Sequence, residues 1–331
     1  MKRWLLQQLA GRRHRHRPAN AKPWLLITYN GLGDMLMTLP VINAFTGSGI
    51  ALQVLAHPRN AGVLQGHPAI ERLWVADANK ARAHRQPDWP SDAYEKVIYL
   101  GERLSFHPLM NLQQLRCQEL LSLPFKAHQV QQKALDPLAL KLVDGYLGDA
   151  SDAHFASRMA SVLAPLGLTP GHPGLPFTPP AKRLTAGTWL LNPCGSQEGN
   201  TMPASLIARL LSRLPGPVAA YNNPGNQQLL APWQQQIQWL TSPTVADAAG
   251  WLLASTGVIS TDTGIGHLAC SLDVPTLIVR RDEHWRACCD PLWGTHKVVV
   301  AHSDRDLAAI SDQALDEAMH WLQAQRWQVA Q

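Results

Sequence analysis

Two glycine-containing loops carry the side chains best suited to chemistry. The first follows an apolar run and reads NGLGD, residues 30–34. Its glycines allow a sharp turn and a close approach of the backbone to a ligand, and a carboxylate there can take a proton from a hydroxyl group as a general base. An aspartate that only caps the following helix explains Asp34 equally well. Asp34 is therefore the candidate catalytic residue, with Asn30, Gly31 and Gly33 as the loop beside a hydroxyl-bearing acceptor.

The same loop does not match a dinucleotide-binding fingerprint. The third glycine of GxGxxG would fall at Leu36, and no acidic residue ends the next predicted strand, residues 50–55, to bind a ribose. After Asp34 the apolar residues recur at steps of three and four, which predicts a helix. Redox chemistry with a bound dinucleotide is therefore not expected at this loop.

The second loop reads STDTGIGH, residues 260–267, between a predicted strand and a predicted helix. Backbone N–H groups at a helix start, together with a threonine hydroxyl, form a site suited to phosphate. His267 can reach the same anion, and Asp262 can either cap the helix or bind sugar hydroxyls. A satisfied, half-buried histidine is the alternative for His267 alone. Its combination with Asp262, Thr263 and Gly264 favours an anion-binding loop.

Two further loops follow the first two predicted strands of the second half. Residues 192–197 include Gly195 and Ser196, which suit a diphosphate, and residues 221–226 are placed to edge a nucleotide base or ribose. Because the carboxyl ends of parallel strands meet at one edge of a sheet, both loops are expected beside the same ligand.

Strand-like and helix-like segments alternate on both sides of a Pro- and Gly-rich stretch, residues 165–186. Such alternation predicts α/β domains with parallel sheets covered by helices, and 331 residues exceed what one core usually supports. The predicted domains are residues 23–164 and 187–310, doubly wound and joined by that linker. The segment 105–164 is mostly helical in pattern. A last helix, within residues 311–331, is expected to pack back on the first domain.

The positive charge of the chain is concentrated in residues 1–22. They hold seven Lys and Arg and no acidic residue, so the remainder carries a formal charge of −2, against +5 for the whole chain. An apolar cluster followed by an arginine-rich run suits an anionic membrane surface, and a solvated tail explains it equally well. Nucleic acid is disfavoured because the remainder is slightly acidic. Five cysteines without a CxxC pair predict reduced thiols in a cytoplasmic protein.

The two chemistry-bearing loops lie in longer motifs that resemble glycosyltransferase family 9, the heptosyltransferases that build the lipopolysaccharide inner core. That family has a GD-containing loop running into an apolar helix with a TxP step, here GDMLMTLPVI at residues 33–42. It also has a more specific DTGxxHLA element, here DTGIGHLA at residues 262–269, followed by Val274 and Pro275. The order and separation of these motifs match over nearly the whole chain after the basic tail.

The resemblance implies a GT-B fold, in which two Rossmann-like domains face a central cleft. It implies an inverting, metal-independent transfer, without a cofactor, from an ADP-heptose-like nucleotide sugar to a lipid-linked or core oligosaccharide acceptor. The family pattern makes Asp34 the general base and Asp262 a contact of the donor sugar, while Thr263, Gly264 and His267 hold the diphosphate. It also implies a cytoplasmic enzyme at the inner face of the inner membrane.

Two positions depart from the family pattern. Where the family has a Lys or Arg just before a Trp-Pro step, this chain reads NTMP at residues 200–203, without a basic residue, and Asn226 stands nearest to the acid that contacts the nucleotide. Asn200 and Asn226 remain candidate donor-binding residues. Arg280, Arg281 and Arg286 are the candidates to replace the missing charge, with a surface role as the alternative. A sugar-nucleotide epimerase or hydrolase of the same fold, and a non-catalytic sugar-nucleotide-binding subunit, are the competing functions.

Overall fold

The structure of the chain is a computed structural model. It describes residues 4, 22–28, 31–101, 106–123, 143–148, 154–195, 198–281, 288–301 and 306–325. The chain forms two compact units, which divide between Pro176 and Phe177, inside the Pro- and Gly-rich stretch. The segment Leu32–Met37, the start of the first long helix, groups with the second unit.

The first unit is built on a six-stranded sheet in which each described strand pair is parallel. Its strands are β1 (Trp24–Ile27), β2 (Leu52–Ala56), β3 (Ile70–Val75), β4 (Ala93–Tyr99), β5 (Arg116–Ser122) and β6 (Gly145–Tyr146). Its helices are α1 (Leu32–Asn43), α2 (Phe106–Leu112) and α3 (Phe155–Ala160), with 3-10 turns at Ala61–Val63, Ala83–Arg85 and Ala164–Leu166. Strands β1 and β2 are buried along their whole length, as expected where both faces of a parallel sheet are covered.

The second unit is built on another six-stranded sheet, also parallel in each described pair. Its strands are β7 (Trp189–Asn192), β8 (Val218–Tyr221), β9 (Ile237–Leu240), β10 (Gly257–Thr261), β11 (Thr276–Arg281) and β12 (His296–Ala301). Its helices are α4 (Ala204–Leu211), α5 (Pro224–Leu229), α6 (Val245–Ala254), α7 (Gly264–Ser271) and α8 (Asp312–Ala324). Further 3-10 turns lie at Glu198–Asn200, Ala231–Gln236 and Leu307–Ala309.

Both sheets have the strand order of the Rossmann fold. The orders are β3-β2-β1-β4-β5-β6 and β12-β11-β10-β7-β8-β9, so each reads 3-2-1-4-5-6 when counted from its own first strand. The predicted fold class, with two Rossmann-like doubly wound α/β domains, is confirmed. Open sheets of this kind bind ligands at the carboxyl ends of the strands where the order reverses. That switch point lies between β1 and β4 in the first unit and between β7 and β10 in the second.

The segment 105–164 departs from the helical prediction, because it contains β5 and β6 as well as α2 and α3. Residues such as Gln118 and Glu119 are good helix formers, but pairing with the neighbouring strand β4 prevails over that local preference. Strands β3 and β12 were not predicted either. Both lie at sheet edges and are only partly buried, and the charged residues Glu71 and Arg72 interrupt the apolar pattern of β3. Residues 124–142 of this segment lie outside the described residues.

Helix α8 packs on the second sheet. Its apolar residues Leu315, Ala318, Met319 and Leu322 recur at steps of three, one and three, which places them on one face, and all four belong to the buried core of the second unit. The apolar stripe of α8 is therefore used within the second unit, and packing of the last helix on the first domain stays a prediction.

Arg209 of α4 fastens the start of α8. Its Nε donates to Asp312 Oδ1 at 2.9 Å, and its Nη2 donates to the carbonyl oxygen of Ile310 at 2.6 Å. Because Arg209→Met keeps an aliphatic side chain but removes both donors, we expect it to lower the free energy of unfolding by about 1–2 kcal/mol. Urea denaturation followed by circular dichroism measures the loss. Arg183→Met, which removes an exposed arginine, is the matched control, and equal losses in the two variants would contradict the fastening role.

The basic tail falls almost wholly outside the described residues. Of residues 1–22 only Trp4 and Lys22 are described, and Trp4 is exposed. Across the part of the chain that the structure describes, no helix is long and apolar enough to cross a membrane. Contact of the tail with a membrane surface therefore stays a prediction.

Candidate functional site

Asn192 connects the loops at the switch point of the second unit through hydrogen bonds of its side chain. It ends β7, pairs in register with Ser260 of β10, and is almost fully buried. Its Nδ2 donates to Ser260 Oγ and to Thr263 Oγ1, each at 3.1 Å. The third and second chemistry-bearing loops are thus tied together by one buried amide. The sequence pointed to the loop that Asn192 opens but not to Asn192 itself, whose role depends on the strand order.

Thr263 is the N-cap residue of α7, yet its side chain makes no capping hydrogen bond. The hydroxyl is instead within 3.1 Å of Ser260 Oγ and of Asn192 Nδ2. The first N–H groups of a helix have no partner within the helix, so those of Gly264 and Ile265 are not covered by the Thr263 side chain. They form a positively polarised end at the switch point, which suits an anion.

His267, in the first turn of α7, is largely buried, with 7% of its side chain exposed. Its Nε2 lies 4.0 Å from Oδ1 of Asp262. Its ring also lies directly against Gly33, because a Cβ placed on Gly33 would come within 2.7 Å of the ring atom Cδ2. Gly33 belongs to the segment Leu32–Met37 that groups with this unit. The close approach therefore requires glycine at position 33.

A second contact joins the starts of α1 and α7. A Cβ placed on Gly264 would come within 2.6 Å of the Cβ of Leu32, so Gly264 also has no room for a side chain. Asp34 lies in the first turn of α1 and is half-buried. Because α1 begins at Leu32, Asp34 is the third helical residue rather than the N-cap that the sequence allowed. The two predicted loops therefore meet through glycines, with Asp34 one residue beyond Gly33.

A pocket of about 200 Å³ opens at the carboxyl ends of β7, β8 and β9. It is lined by Asn192, Tyr221, Asn222, Asn223, Leu240, Ser242 and Ile265. The Tyr221 hydroxyl donates to the carbonyl oxygen of Ala248 at 2.9 Å, and burial raises the pKa of Tyr221, so this side chain stays neutral. Apolar side chains next to amide edges suit a heteroaromatic base. Leu240, Ser242 and Ile265 were missed from the sequence because single positions at strand and helix ends carry no pattern.

Asn226 does not line this pocket. Its side chain is fully buried, and its Nδ2 donates to the carbonyl oxygen of Tyr221 at 3.0 Å. Its backbone N–H donates to Asn223 Oδ1 at 2.9 Å. In this structure Asn226 therefore holds the loop after β8 in shape, and any contact with a donor would pass through Tyr221 and Asn223.

The third loop folds tightly back on itself. Gly195 lies against the backbone and Cβ of Asn200, and its N–H donates to Thr201 Oγ1 at 3.2 Å. Asn200 is 5% exposed, and its buried Oδ1 has no hydrogen-bond partner among the described residues. Ser196 and, in the first loop, Asn30 lie outside the described residues. Gly31 is described and exposed.

None of the five cysteines forms a disulfide bond in the described part of the chain. Cys288 and Cys289 are half-buried, and within the described ranges no group of three His, Cys, Asp or Glu side chains is arranged to hold a metal ion. Arg280, one candidate for the missing charge, is engaged by Asp290 through two hydrogen bonds of 2.9 and 3.0 Å. Arg286 lies outside the described residues.

Two Rossmann-like domains in series, the second with a pocket and a helix start at its switch point, are the architecture of the GT-B class. No protein-family model matches the sequence, and no curated protein sequence matches it. The fold is nevertheless shared with solved structures of that class.

The chain is similar to the structure of a family 9 glycosyltransferase from Veillonella parvula, with 16% identity, 91% of this chain and 97% of that chain covered, and a TM-score of 0.69. It is also similar to the E. coli heptosyltransferase WaaC. The structure of WaaC with ADP gives 16% identity, coverage of 91% and 99%, and a TM-score of 0.69. The structure with ADP-2-deoxy-2-fluoro heptose gives 18% identity, coverage of 90% and 99%, and a TM-score of 0.67.

The structure of a putative UDP-N-acetylglucosamine 2-epimerase from Listeria monocytogenes is less similar to this chain. It gives 13% identity, coverage of 92% of this chain and 88% of that chain, and a TM-score of 0.51. At these identities the likeness establishes the fold. The resemblance to family 9 that the motifs predicted is confirmed at that level.

Proposed function

We propose that the chain is an inverting, metal-independent glycosyltransferase that moves a heptose-like sugar from a nucleoside-diphosphate donor to a lipopolysaccharide core or related envelope glycan. One observation carries the proposal. At a single switch point the second unit holds a pocket suited to a nucleobase beside a helix start suited to a diphosphate. Ile265 belongs to both, since it lines the pocket and lies in the first turn of α7. This is the arrangement that a nucleotide sugar needs.

In the donor site, Tyr221, Leu240 and Ile265 border the base, and the N–H groups at the start of α7 take the diphosphate. His267 adds a ring nitrogen to the same end of α7, and Asp262, 4.0 Å from it, binds hydroxyls of the donor sugar. The two WaaC structures, which contain ADP and an ADP-linked fluoroheptose, support an ADP-heptose-like donor.

In the reaction, Asp34 accepts the proton of the acceptor hydroxyl while that oxygen attacks the anomeric carbon of the donor sugar. The new bond joins the acceptor oxygen to the anomeric carbon, and the bond from that carbon to the diphosphate oxygen breaks. Attack opposite the leaving group inverts the configuration. Negative charge then develops on the diphosphate, where the N–H groups of α7 and His267 stabilise it without a metal ion.

A sugar-nucleotide epimerase or hydrolase and a non-catalytic subunit are the competing functions. The epimerase fold is the more distant one, with a TM-score of 0.51 against 0.69, so the transferase is favoured. Donor consumption with and without a core oligosaccharide acceptor separates the three. A transferase consumes the donor only with the acceptor, an epimerase or hydrolase consumes it without, and a subunit consumes none.

The acceptor is proposed to be lipid-linked or core oligosaccharide at the inner face of the inner membrane, with the enzyme in the cytoplasm. The support is the basic tail, residues 1–22, whose positive charge and exposed Trp4 suit an anionic lipid surface. Presenting the acceptor in anionic and in neutral vesicles tests this setting, because equal turnover on both would exclude a role for the tail.

Nucleotide binding at the pocket gives a direct prediction. We expect ADP to raise the melting temperature of the chain, since a ligand that binds only the native state stabilises it. Asn222 is exposed at the rim of the pocket, so Asn222→Trp should fold normally, fill the entrance and abolish the shift. Differential scanning fluorimetry measures both. A shift of the same size in Asn222→Trp would mean that ADP binds elsewhere.

A further inference from the structure

Arg281 is the last residue of β11, at the carboxyl edge of the second sheet. In the pairing of β10 with β11, Thr261 lies opposite Val279. Arg281 is two residues beyond Val279, so it lies past the last paired residue of β10, at the edge of the sheet where the chain continues from β10 into α7. The strand register therefore brings a guanidinium group to the edge where the first N–H groups of α7 are found.

The guanidinium group of Arg281 also lies on the third loop. A Cβ placed on Gly199 would collide with Nη1, Cζ and Nη2 of Arg281. The φ angle of Gly199 is not in the left-handed region, so the reason for glycine there is space and not backbone conformation. The planar guanidinium of Arg281 thus lies against Gly199. The next residue, Asn200, has a buried Oδ1 without a hydrogen-bond partner among the described residues.

Other basic side chains in the described part of the second unit have different positions. Arg280 is held by Asp290, Lys182 is paired with Asp247 at 2.8 Å, and Lys297 is near the amino end of β12, at the opposite edge of the sheet. Arg209 and Arg213 bind carboxylates of α8. Arg281 alone among these combines a position at the carboxyl end of its strand with contact with the turn Glu198–Asn200.

Resting on the proposed function, we propose that Arg281 binds the diphosphate of the nucleotide-sugar donor and supplies the cation that the third loop lacks. The guanidinium presents paired N–H donors that match two phosphate oxygens. The start of α7 contributes partial charge only. Arg281 completes the neutralisation of a leaving group that carries full negative charges.

The test is titration of ADP and AMP by isothermal calorimetry into the full chain and its variants. Arg281→Gln should raise the Kd for ADP about 10- to 100-fold, the range expected for losing charge-assisted hydrogen bonds. The Kd for AMP should change less than that for ADP, because AMP lacks the second phosphate. Lys297→Gln removes the same charge at the opposite edge and should leave both constants unchanged.

Two further variants keep the result interpretable if Arg281→Gln folds poorly. Arg281→Lys keeps the charge without the paired donors and should give an intermediate Kd for ADP. Gly199→Ala leaves Arg281 in the chain but displaces its guanidinium, and should also weaken ADP more than AMP.

Equal weakening of ADP and AMP in these variants would overturn the proposal in favour of a structural role. So would unchanged ADP binding in Arg281→Gln. If the wild-type chain itself binds neither nucleotide, the proposed function fails as well, and that outcome is distinct from the other two.

Discussion

Replacing Asp34 by Asn is expected to lower kcat about 10²- to 10⁴-fold, the usual contribution of a general base, while the Kd for ADP stays within about twofold. The carboxylate lies in the first turn of α1, one residue beyond Gly33, which touches the ring of His267. Asparagine has nearly the same shape but cannot accept the proton of the acceptor hydroxyl. Initial rates at saturating donor and acceptor, with ADP titrated by calorimetry, measure the two effects separately.

Asp34→Glu is the control for the alternative that Asp34 only stabilises the start of α1. A negative charge in the first turn of a helix is worth about 0.3–1 kcal/mol, and Glu keeps that charge while moving the carboxylate by one methylene group. If Asp34 is the base, Asp34→Glu keeps the stability of the wild type and loses most of its turnover. Full activity in Asp34→Glu, with only a small loss in Asp34→Asn, would remove Asp34 from catalysis.

The elements around the site could be read from the sequence where a buried strand or helix coincides with a continuous local pattern. Strand β8 and helix α6 have the predicted ends, because an apolar run and an apolar stripe stop there at turn-forming residues. Strands β3, β5 and β12 were not predicted, since edge position or helix-forming residues hide them. Their existence depends on pairing with a neighbour, which no local window contains.

Among the residues of the candidate site too, some could be predicted from a local sequence pattern and others could not. The glycines, threonine and histidine of the second loop could be predicted as a phosphate site because residue types suited to phosphate stand together in one short stretch. Asn192 and Arg281 could not be assigned roles in that way. Asn192 acts through its register with Ser260, and Arg281 through its place at the end of β11, beside β10. Both depend on strand order.

A second substitution with a large expected effect on activity lies at the contact between the starts of α1 and α7. Gly264→Ala would place a Cβ within 2.6 Å of the Cβ of Leu32, which real side chains do not tolerate, so the two helix starts must move apart. Asp34 is two residues beyond Leu32, and the N–H groups that we propose to bind the diphosphate begin at Gly264. A displacement of about 1 Å between reacting groups can cost about 10²-fold in rate. We therefore expect kcat/KM to fall by about that factor.

Gly266→Ala, two residues along the same helix, is the matched control. A Cβ on Gly266 would meet its nearest neighbours at 3.6 Å, an ordinary contact, with Ile278 and the Thr261 carbonyl. Alanine is also the better helix former by about 1 kcal/mol, so Gly266→Ala should raise the melting temperature and keep kcat/KM within about twofold. Melting curves and initial rates for both variants decide the point. If Gly264→Ala and Gly266→Ala are equally active, the approach of Leu32 to Gly264 does not position the reacting groups.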